Sequence, residues 1–342
     1  MTKKGTMKMK LRILSLAAFT VLIAVGQLSA QVTLDKVGQS TMNFQLVSIS
    51  PVASAMGDAY YAVGTGADAI FYNPAAMADM NDRTFNVVLD YVQWIADINY
   101  YAGAVAWNLK DYGAVGLSFL SVDYGTINGT SLVEFGGYTD NGPVSNVGAY
   151  SLGLTYSKFI NTQFSVGGNV RLVGQNLGSN TFYDGTSTTN TATKLAFDLG
   201  VKYQTLFNDF RFGMAIRNFS TDIKRELISE QLPLTFTMGA AIDLLDFVDA
   251  NHDKGTGLTF AIDLLHSNSY SERVNMGLEY KMLGMLALRG GYQTNRDVQS
   301  WSAGVGLNTT LAGNAVAFNY SFSKITETSF DNVNRVSLAF SF

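Results

Sequence analysis

The sequence predicts an all-β protein: a transmembrane, antiparallel β-barrel of about 14 strands with an N-terminal hatch in its lumen. Three observations support this fold class. The composition is 47% hydrophobic with only 15% charged residues, whereas a typical soluble domain has about 25% charged residues. The chain begins with an export-signal pattern. Most of the remainder alternates large apolar residues with small or polar ones, as strands do when one face contacts lipid.

Residues 1–30 have the composition of an export signal. Five basic residues precede an uncharged stretch from Ile13 to Val25, and small residues before Gln31 offer a cleavage site. A transmembrane anchor is the alternative, but a helix of that length covers about 20 Å of a hydrocarbon core about 30 Å thick. Removal of the segment takes five of the 23 basic residues and none of the 27 acidic ones, which leaves a net charge of −9. Nucleic acid is therefore not an expected partner.

Residues 31–83 precede the first strand and do not alternate. They are rich in small residues, and Asn73 before Pro74 sets a break from extended chain into a turn. A barrel of about 14 strands is wide enough to need filling, so we expect this segment to fold into the lumen as a hatch. The predicted organisation is a signal peptide at 1–30, a hatch at 31–83 and a barrel at 84–342.

Fourteen segments alternate like strands with one apolar and one polar face. In one of them Leu199 is expected to face lipid, while Asp198 and Lys202 face the lumen. A soluble sandwich would carry charged residues on its second face, whereas here that face is mostly Gly, Ala, Ser and Asn, which favours a barrel. The predicted strands are 84–94, 99–109, 113–122, 147–157, 164–175, 193–203, 210–218, 234–245, 257–265, 272–282, 285–294, 300–308, 314–323 and 334–342.

The connections between these strands alternate in length along most of the chain. Short connections such as 110–112 alternate with long ones such as 123–146, as expected for periplasmic turns on one rim and extracellular loops on the other. The connection 246–256 is long for the turn rim, and some connections on the opposite rim are short. The sequence therefore leaves open whether the assignment of connections to the two rims is shifted by one hairpin.

Charged residues on the polar faces of the predicted strands are of both signs. We expect them to pair with one another or to contact the hatch, rather than to form a substrate site. They are Asp90, Arg171, Lys194, Asp198, Arg217, Asp243, Arg273, Glu279, Arg289 and Arg335.

The last predicted strand ends in aromatic residues. Phe340 and Phe342 close the alternating segment 334–342. This pattern resembles the C-terminal signal that the barrel assembly machinery of outer membranes reads as a strand edge. We therefore expect this machinery and outer-membrane lipid among the partners.

Two runs in the hatch carry a family resemblance: Ala55 to Ala59, which contains Gly57 and Asp58, and Asp68 to Ala75, which ends in Asn73, Pro74 and Ala75. They resemble the N-terminal hatch of the FadL-like long-chain fatty acid transporter superfamily and, more closely, the PorV/PorQ family of outer-membrane proteins associated with the type IX secretion system. The resemblance implies a fourteen-stranded barrel plugged by a hatch, in the outer membrane of a Gram-negative bacterium. It also implies that Gly57, Asp58, Asn73, Pro74 and Ala75 form the hatch motif.

Patterns for catalysis or metal binding fail on inspection. Cys is absent and His252 and His266 are the only imidazoles, which excludes thiolate zinc sites, cysteine nucleophiles and multi-histidine centres. The run 249–255 imitates a calcium loop, but Phe260 stands where a bidentate Glu belongs. Asp263 and His266 are three residues apart on a strand and so face opposite sides. We expect no metal, no cofactor and no enzymatic activity.

Three functions of different classes stay open. The resemblance implies a component or accessory of type IX protein secretion that binds partner or cargo proteins. The alternative is a transporter of hydrophobic small molecules across the outer membrane, gated by the hatch. An outer-membrane hydrolase is disfavoured because no catalytic pattern holds. The first two differ in whether the lumen contains a continuous apolar cavity.

The longest loop, 123–146, is the candidate surface for a protein partner. It carries Leu132, Val133, Phe135 and Tyr138 among few charges, whereas a purely solvating loop would be polar throughout. A hairpin that packs these side chains on itself is the alternative.

Overall fold

A closed barrel of fourteen antiparallel strands dominates the computed structural model. The model describes residues 40–342 apart from 81–82, 134–135, 182–185, 206, 225–227, 249–252, 254, 297–298 and 328. The first and last strands close the ring through a ladder from Asn86 opposite Ser341 to Gln93 opposite Asn334. The predicted fold class is therefore confirmed, while the predicted signal peptide at 1–30 lies outside the described residues.

The described residues form eighteen strands, and fourteen of them build the barrel. Two hairpins, β4 with β5 and β10 with β11, form separate small sheets in the loops. The strands are β1 (Phe85–Gln93), β2 (Asn99–Asn108), β3 (Ala114–Asp123), β4 (Asn128–Leu132), β5 (Tyr138–Pro143), β6 (Gly148–Phe159), β7 (Phe164–Thr181), β8 (Ser187–Gln204), β9 (Arg211–Phe219), β10 (Ile223–Lys224), β11 (Ser229–Glu230), β12 (Thr235–Asp243), β13 (Gly257–Ser267), β14 (Arg273–Met282), β15 (Leu286–Gln293), β16 (Gln299–Leu311), β17 (Asn314–Ile325) and β18 (Val333–Ser341).

Alternation along each strand separates an apolar outer face from a polar inner face. On β8, Leu199 is 64% exposed, whereas Asp198 and Lys202 are 1% and 3% exposed. The outer faces of the other strands expose Leu, Phe, Val, Tyr and Trp side chains in the same way. A band of exposed apolar residues this large is expected only where lipid or another apolar partner covers it.

The connections between strands fall on two rims. The turn rim carries 109–113, 160–163, 205–210, 244–256, 283–285 and 312–313 together with the C-terminus. The loop rim carries the other connections, including 124–147 and 220–234. Because every predicted strand overlaps one barrel strand, in the predicted order, the hairpin shift that the connection lengths left open does not occur.

The hairpin of β7 and β8 is longer than predicted. Each strand has 18 residues, and the two pair with each other beyond the point where β6 and β9 stop pairing with them. This extension is rich in Ser, Thr and Asn on both faces. It therefore lacks the apolar alternation from which the other strand ends were predicted.

The N-terminal segment fills the lumen with short helical turns. It contains 3-10 helices at Asn43–Leu46, Gly66–Phe71 and Pro74–Ala78 and one α-helical turn, α1, at Pro51–Ala55. Two further 3-10 turns, Lys110–Tyr112 and Leu245–Phe247, lie in barrel connections. No helix in the described part of the chain is long and apolar enough to cross a membrane.

Apolar packing anchors this segment, the hatch, at both ends of the lumen. Near the loop rim Phe44 and Ile49 pack in a cluster with Tyr100 and other inner-face residues. Near the turn rim Ile70 and Met77 pack with alanine and valine side chains of β1, β2 and β3. The hatch therefore spans the lumen from one rim towards the other.

Candidate functional site

The Asn73, Pro74 and Ala75 element of the hatch contacts the wall where β7 and β8 carry glycine. Gly167 and Gly200 lie directly opposite each other in the ladder. A Cβ atom on Gly167 would lie 2.6 Å from the backbone of Pro74 and Ala75, and one on Gly200 would collide with the Asn73 side chain. Asn73 also caps the following 3-10 helix, since its Oδ1 accepts a hydrogen bond from the Ala75 amide at 3.1 Å.

Gly57 and Asp58 form a second contact between hatch and wall. Both have positive φ, at 63° and 61°, so the chain turns sharply after α1. Gly57 lies against Gly291 of β15, where a Cβ atom would collide with the hatch backbone. Gln293 of the same strand donates from Nε2 to the Gly57 carbonyl at 3.1 Å and to Asp58 Oδ2 at 2.5 Å.

A buried ion pair holds the hatch near the loop rim. Arg171 of β7 donates from Nε and Nη2 to the two carboxylate oxygens of Asp198 on β8, both at 2.7 Å. Nη2 also donates to Asn218 Oδ1 at 2.6 Å, and Nη1 donates to Gln45 Oε1 of the hatch. The Asn218 amide donates to Asp198 at 2.8 Å, at the point where the ladder between β8 and β9 shifts register.

The expectation that lumen charges pair with one another or contact the hatch holds for some residues and not for others. Asp243, for example, accepts hydrogen bonds from the main-chain amides of Leu245 and Leu258. Arg289 donates to Glu279 at 2.6 Å, and Arg335 donates to the hatch carbonyl of Ser48 at 2.9 Å. Asp90, in contrast, is buried, and no residue that the structure describes donates a hydrogen bond to either of its carboxylate oxygens. Ala102 lies opposite it on β2 and offers no donor, and the hydroxyl of Ser337, opposite it on β18, makes no hydrogen bond to it.

Asp68 organises the interior of the hatch. Ser50 and Tyr60 both donate to its Oδ2, at 2.7 Å and 2.8 Å. Burial raises the pKa of the Asp68 carboxyl above its ordinary value, and the hydrogen bonds from Ser50 and Tyr60 act in the opposite direction. Tyr72 lies edge-on to Tyr60 with ring centroids 5.1 Å apart, so this half of the hatch is rigidly packed.

A vestibule lined by both apolar and polar groups opens at the loop rim. It encloses about 530 Å³, and polar groups including Gln175 and Arg296 edge it. Its apolar lining comes from the hatch and from strand ends: Met42, Phe44, Leu46, Val47, Trp94 and Tyr100.

A narrower cavity lies deeper in the lumen and shares lining residues with the vestibule. It measures about 60 Å³. Leu46, Val47 and Arg296 line both spaces, so the two adjoin. Arg171 and Arg217 give the inner cavity cationic groups beside its apolar walls.

A third space, of about 660 Å³, faces the turn rim and is polar. Its lining includes Asp68, Arg211, Glu279, Arg289 and Asn319. The lining of the lumen therefore becomes more polar and more charged from the loop rim to the turn rim.

The other sequence-predicted residues lie away from this lumen. Val133 and Tyr138 are exposed on the β4–β5 hairpin, at 44% and 74%, and Leu132 is the last residue of β4. Phe135 lies outside the described residues.

The C-terminal residues close the barrel. Phe340 belongs to β18, opposite Val87 of β1. Phe342 extends the pairing, because its amide donates to Phe85 O at 2.9 Å and its carbonyl accepts from the Thr84 amide at 2.8 Å.

The closed fourteen-stranded barrel has the same fold as solved structures of a FadL homologue and of TodX. The chain is similar to a FadL homologue of Pseudomonas aeruginosa (TM-score 0.53, 14% identity, 86% of this chain and 98% of that chain covered). It is also similar to the toluene transporter TodX of Pseudomonas putida (TM-score 0.54, 15% identity, 86% and 96% covered). A TodX deltaS2S3 mutant, described as a monoaromatic hydrocarbon channel, gives a TM-score of 0.57 at 15% identity, with 87% and 99% covered. No family model and no curated protein sequence matches the chain.

Proposed function

We propose that the protein is a non-enzymatic outer-membrane barrel that admits small hydrophobic molecules from the cell exterior, with the hatch as its gate. The observation that carries this proposal is the shared lining of vestibule and inner cavity by Leu46 and Val47. An apolar ligand in the vestibule touches the same hatch residues that close the deeper space. The fold likeness to the toluene transporter TodX supports this class of cargo.

The orientation of the barrel in the membrane follows from the lengths of the connections on its two rims. Longer loops lie on the extracellular side of outer-membrane barrels and short turns on the periplasmic side. The vestibule at the loop rim therefore faces the exterior, and the polar chamber at the turn rim faces the periplasm. The exposed apolar outer face, of which Leu199 is an example, supports residence in the membrane.

The inner cavity is closed to such a ligand in this conformation. It measures about 60 Å³, whereas a protein cavity that binds benzene measures about 150 Å³. Residues 40–49 of the hatch must therefore move before a ligand passes. The bond between Gln45 and Arg171 is one contact that this motion breaks. Arg217 and Arg296, which line the cavity, suit a ligand with a polar or anionic end.

Blocking the junction between the two spaces tests this function. Val47→Trp should lower the uptake of labelled toluene and of dodecanoate by intact cells at least about tenfold. The reason is that the indole ring would fill the space where the vestibule and the inner cavity meet. Val248→Trp, at a 73% exposed position in a turn-rim connection, is the matched control and should leave uptake unchanged. Equal uptake by both variants, at equal amounts of folded barrel, would rule out the vestibule as the route.

A second candidate function, binding of a partner or cargo protein in type IX secretion, rests on the β4–β5 hairpin. Ile127, Val133 and Tyr138 expose apolar or aromatic surface there, at 46%, 44% and 74%. Their combined replacement by Ser should release a co-purifying protein while uptake and assembly stay intact. Retention of every partner by this variant would argue against the candidate.

A further inference from the structure

Two buried side chains that carry opposite charges lie unpaired on neighbouring strands of the barrel wall. Asp90 of β1 and Arg335 of β18 both face the lumen and are 5% and 1% exposed. Within the described part of the chain, Arg335 makes no ion pair and Asp90 accepts no hydrogen bond. A buried ion is unfavourable unless an opposite charge compensates it. Each of the two side chains therefore lacks a partner that the other would supply.

The strand register brings Asp90 and Arg335 within reach of each other. Arg335 lies opposite Val92 in the ladder between β1 and β18, and Asp90 lies opposite Ser337, one inward position closer to the turn rim. Diagonal neighbours of this kind lie about 7–8 Å apart, which a long side chain spans. Arg335 therefore reaches Asp90 through a change of side-chain rotamer, without a shift of either strand.

The hatch holds the Arg335 side chain in the opposite direction. Its Nε donates to the main-chain carbonyl of Ser48 at 2.9 Å, and its Nη1 donates to Ser323 Oγ at 3.0 Å. Its guanidinium carbon lies 5.5 Å from the centroid of the Trp94 ring. Ser323 and Trp94 both lie nearer the loop rim than Arg335 does. The side chain is therefore directed towards the loop rim and away from Asp90.

Withdrawal of the hatch would release Arg335 from this position. Ser48 lines the inner cavity and belongs to residues 40–49, whose motion the proposed function requires, so this inference rests on that function. Without the Ser48 carbonyl, the buried guanidinium keeps only the Ser323 hydroxyl among its present hydrogen-bond partners. We propose that Arg335 exchanges the Ser48 carbonyl for the Asp90 carboxylate when residues 40–49 withdraw. The new ion pair then stabilises the open hatch.

Amide deuteration of residues 40–49 tests this change of partner in the full-length protein without any ligand, because it reports local opening. Asp90→Asn removes no hydrogen bond from the closed hatch, but it removes the ion pair from the open one. Deuteration of residues 40–49 should therefore slow about fivefold, while the Tm is unchanged or higher. Asp243→Asn makes the same change of charge at the end of β12 and is the matched control. It should leave the deuteration rate of the hatch unchanged.

A second substitution shows whether the effect of Asp90 depends on Arg335. In an Arg335→Gln background, Asp90→Asn should have no further effect on deuteration, because the ion pair is already absent. If Arg335→Gln does not assemble, Arg335→Met replaces it. A lower Tm or faster deuteration for the single variant Asp90→Asn would show that the two residues pair in the closed protein and would overturn the proposal. An unchanged deuteration rate for Asp90→Asn would also overturn it.

Uptake of labelled toluene separates this inference from the proposed function. If both hold, Asp90→Asn should lower uptake about as much as it slows deuteration. Slower deuteration in Asp90→Asn, together with a wild-type protein that takes up no toluene, would retain the change of partner and reject the transport function. Uptake that Val47→Trp blocks, together with normal deuteration and uptake in Asp90→Asn, would retain transport and reject the change of partner.

Discussion

Asn73 of the hatch donates a hydrogen bond from Nδ2 to the main-chain carbonyl of Val201 on β8 at 3.0 Å. The same nitrogen donates to the carbonyl of Tyr61 at 3.0 Å. One amide therefore joins two hatch segments to the barrel wall. Gly200 permits this contact, because any side chain there would occupy the place of the Asn73 carboxamide.

Gly200→Ala should loosen the hatch. The added Cβ collides with the Asn73 side chain, and overpacking of this kind costs about 1–3 kcal/mol. We expect a lower midpoint in urea and faster proteolysis within residues 40–80. Gly290→Ala on β15 is the control, because no atom of the described residues lies within 4 Å of its added Cβ. Equal stability of the two variants would show that Gly200 does not position the hatch.

Leu199→Arg should weaken the barrel in its membrane. The side chain is 64% exposed on the outer face, and Arg at a lipid-facing position near the bilayer middle costs about 2–4 kcal/mol. Refolding into lipid vesicles, followed by heat-modifiable gel mobility, measures this cost. Val248→Arg, outside the strands, should change the stability by less than about 0.5 kcal/mol. Recovery of the wild-type protein from the soluble periplasm would contradict the membrane barrel.

Lipid contact explains why the barrel could be predicted from the sequence. A strand between lipid and lumen needs an apolar residue at every second position, so the signal is local and repeats along the chain. The prediction weakens where this constraint ends. The outer part of the β7–β8 hairpin ends at Thr181 on β7 and begins at Ser187 on β8, and it lies beyond the ladders with β6 and β9. The β4–β5 hairpin lies in a loop. Neither segment alternates, so neither could be found from periodicity.

The candidate site was less predictable, because it depends on contacts between distant parts of the chain. Arg171 and Asp198 were expected to face the lumen, but their pairing with Asn218 and Gln45 requires the strand register and the path of the hatch. The role of Gly200 could not be assigned from the sequence, since a strand glycine can mark a bulge, a bend or the close approach of another segment, and the sequence does not say which. The vestibule lining around Phe44 lies in a segment with no periodic signal at all.

Deletion of residues 31–83 should open the lumen. The hatch is fastened by Lys202, which donates from Nζ to Gly64 O at 2.9 Å and to Asp79 Oδ2 at 3.1 Å, as well as by the glycine contacts. Without the hatch, the polar inner face of the barrel would line a water-filled channel. We expect higher single-channel conductance in planar bilayers and greater sensitivity of cells to large antibiotics.

The milder variant Lys202→Met serves as the comparison for this deletion. It removes the two Nζ hydrogen bonds but keeps the hatch, so it should show brief openings rather than a permanent pore. Unchanged conductance of a correctly assembled deletion variant would place the segment outside the permeation path.

The same Asp→Asn substitution should have opposite effects at two positions of the lumen. Asp198→Asn removes the carboxylate that holds Arg171 through two bonds of 2.7 Å. Breaking a buried pair in this way costs about 3–5 kcal/mol, because it leaves the guanidinium uncompensated. Asp90→Asn removes a buried carboxylate that accepts no hydrogen bond from the described part of the chain. It should therefore leave the stability unchanged or raise it.

Urea unfolding of the two variants in detergent at neutral pH, followed by tryptophan fluorescence, measures this difference. Both substitutions keep the side-chain volume and both lie on inner faces, so each is the control for the other. A loss of stability for Asp90→Asn as large as that for Asp198→Asn would mean that a cation compensates Asp90 in the folded protein.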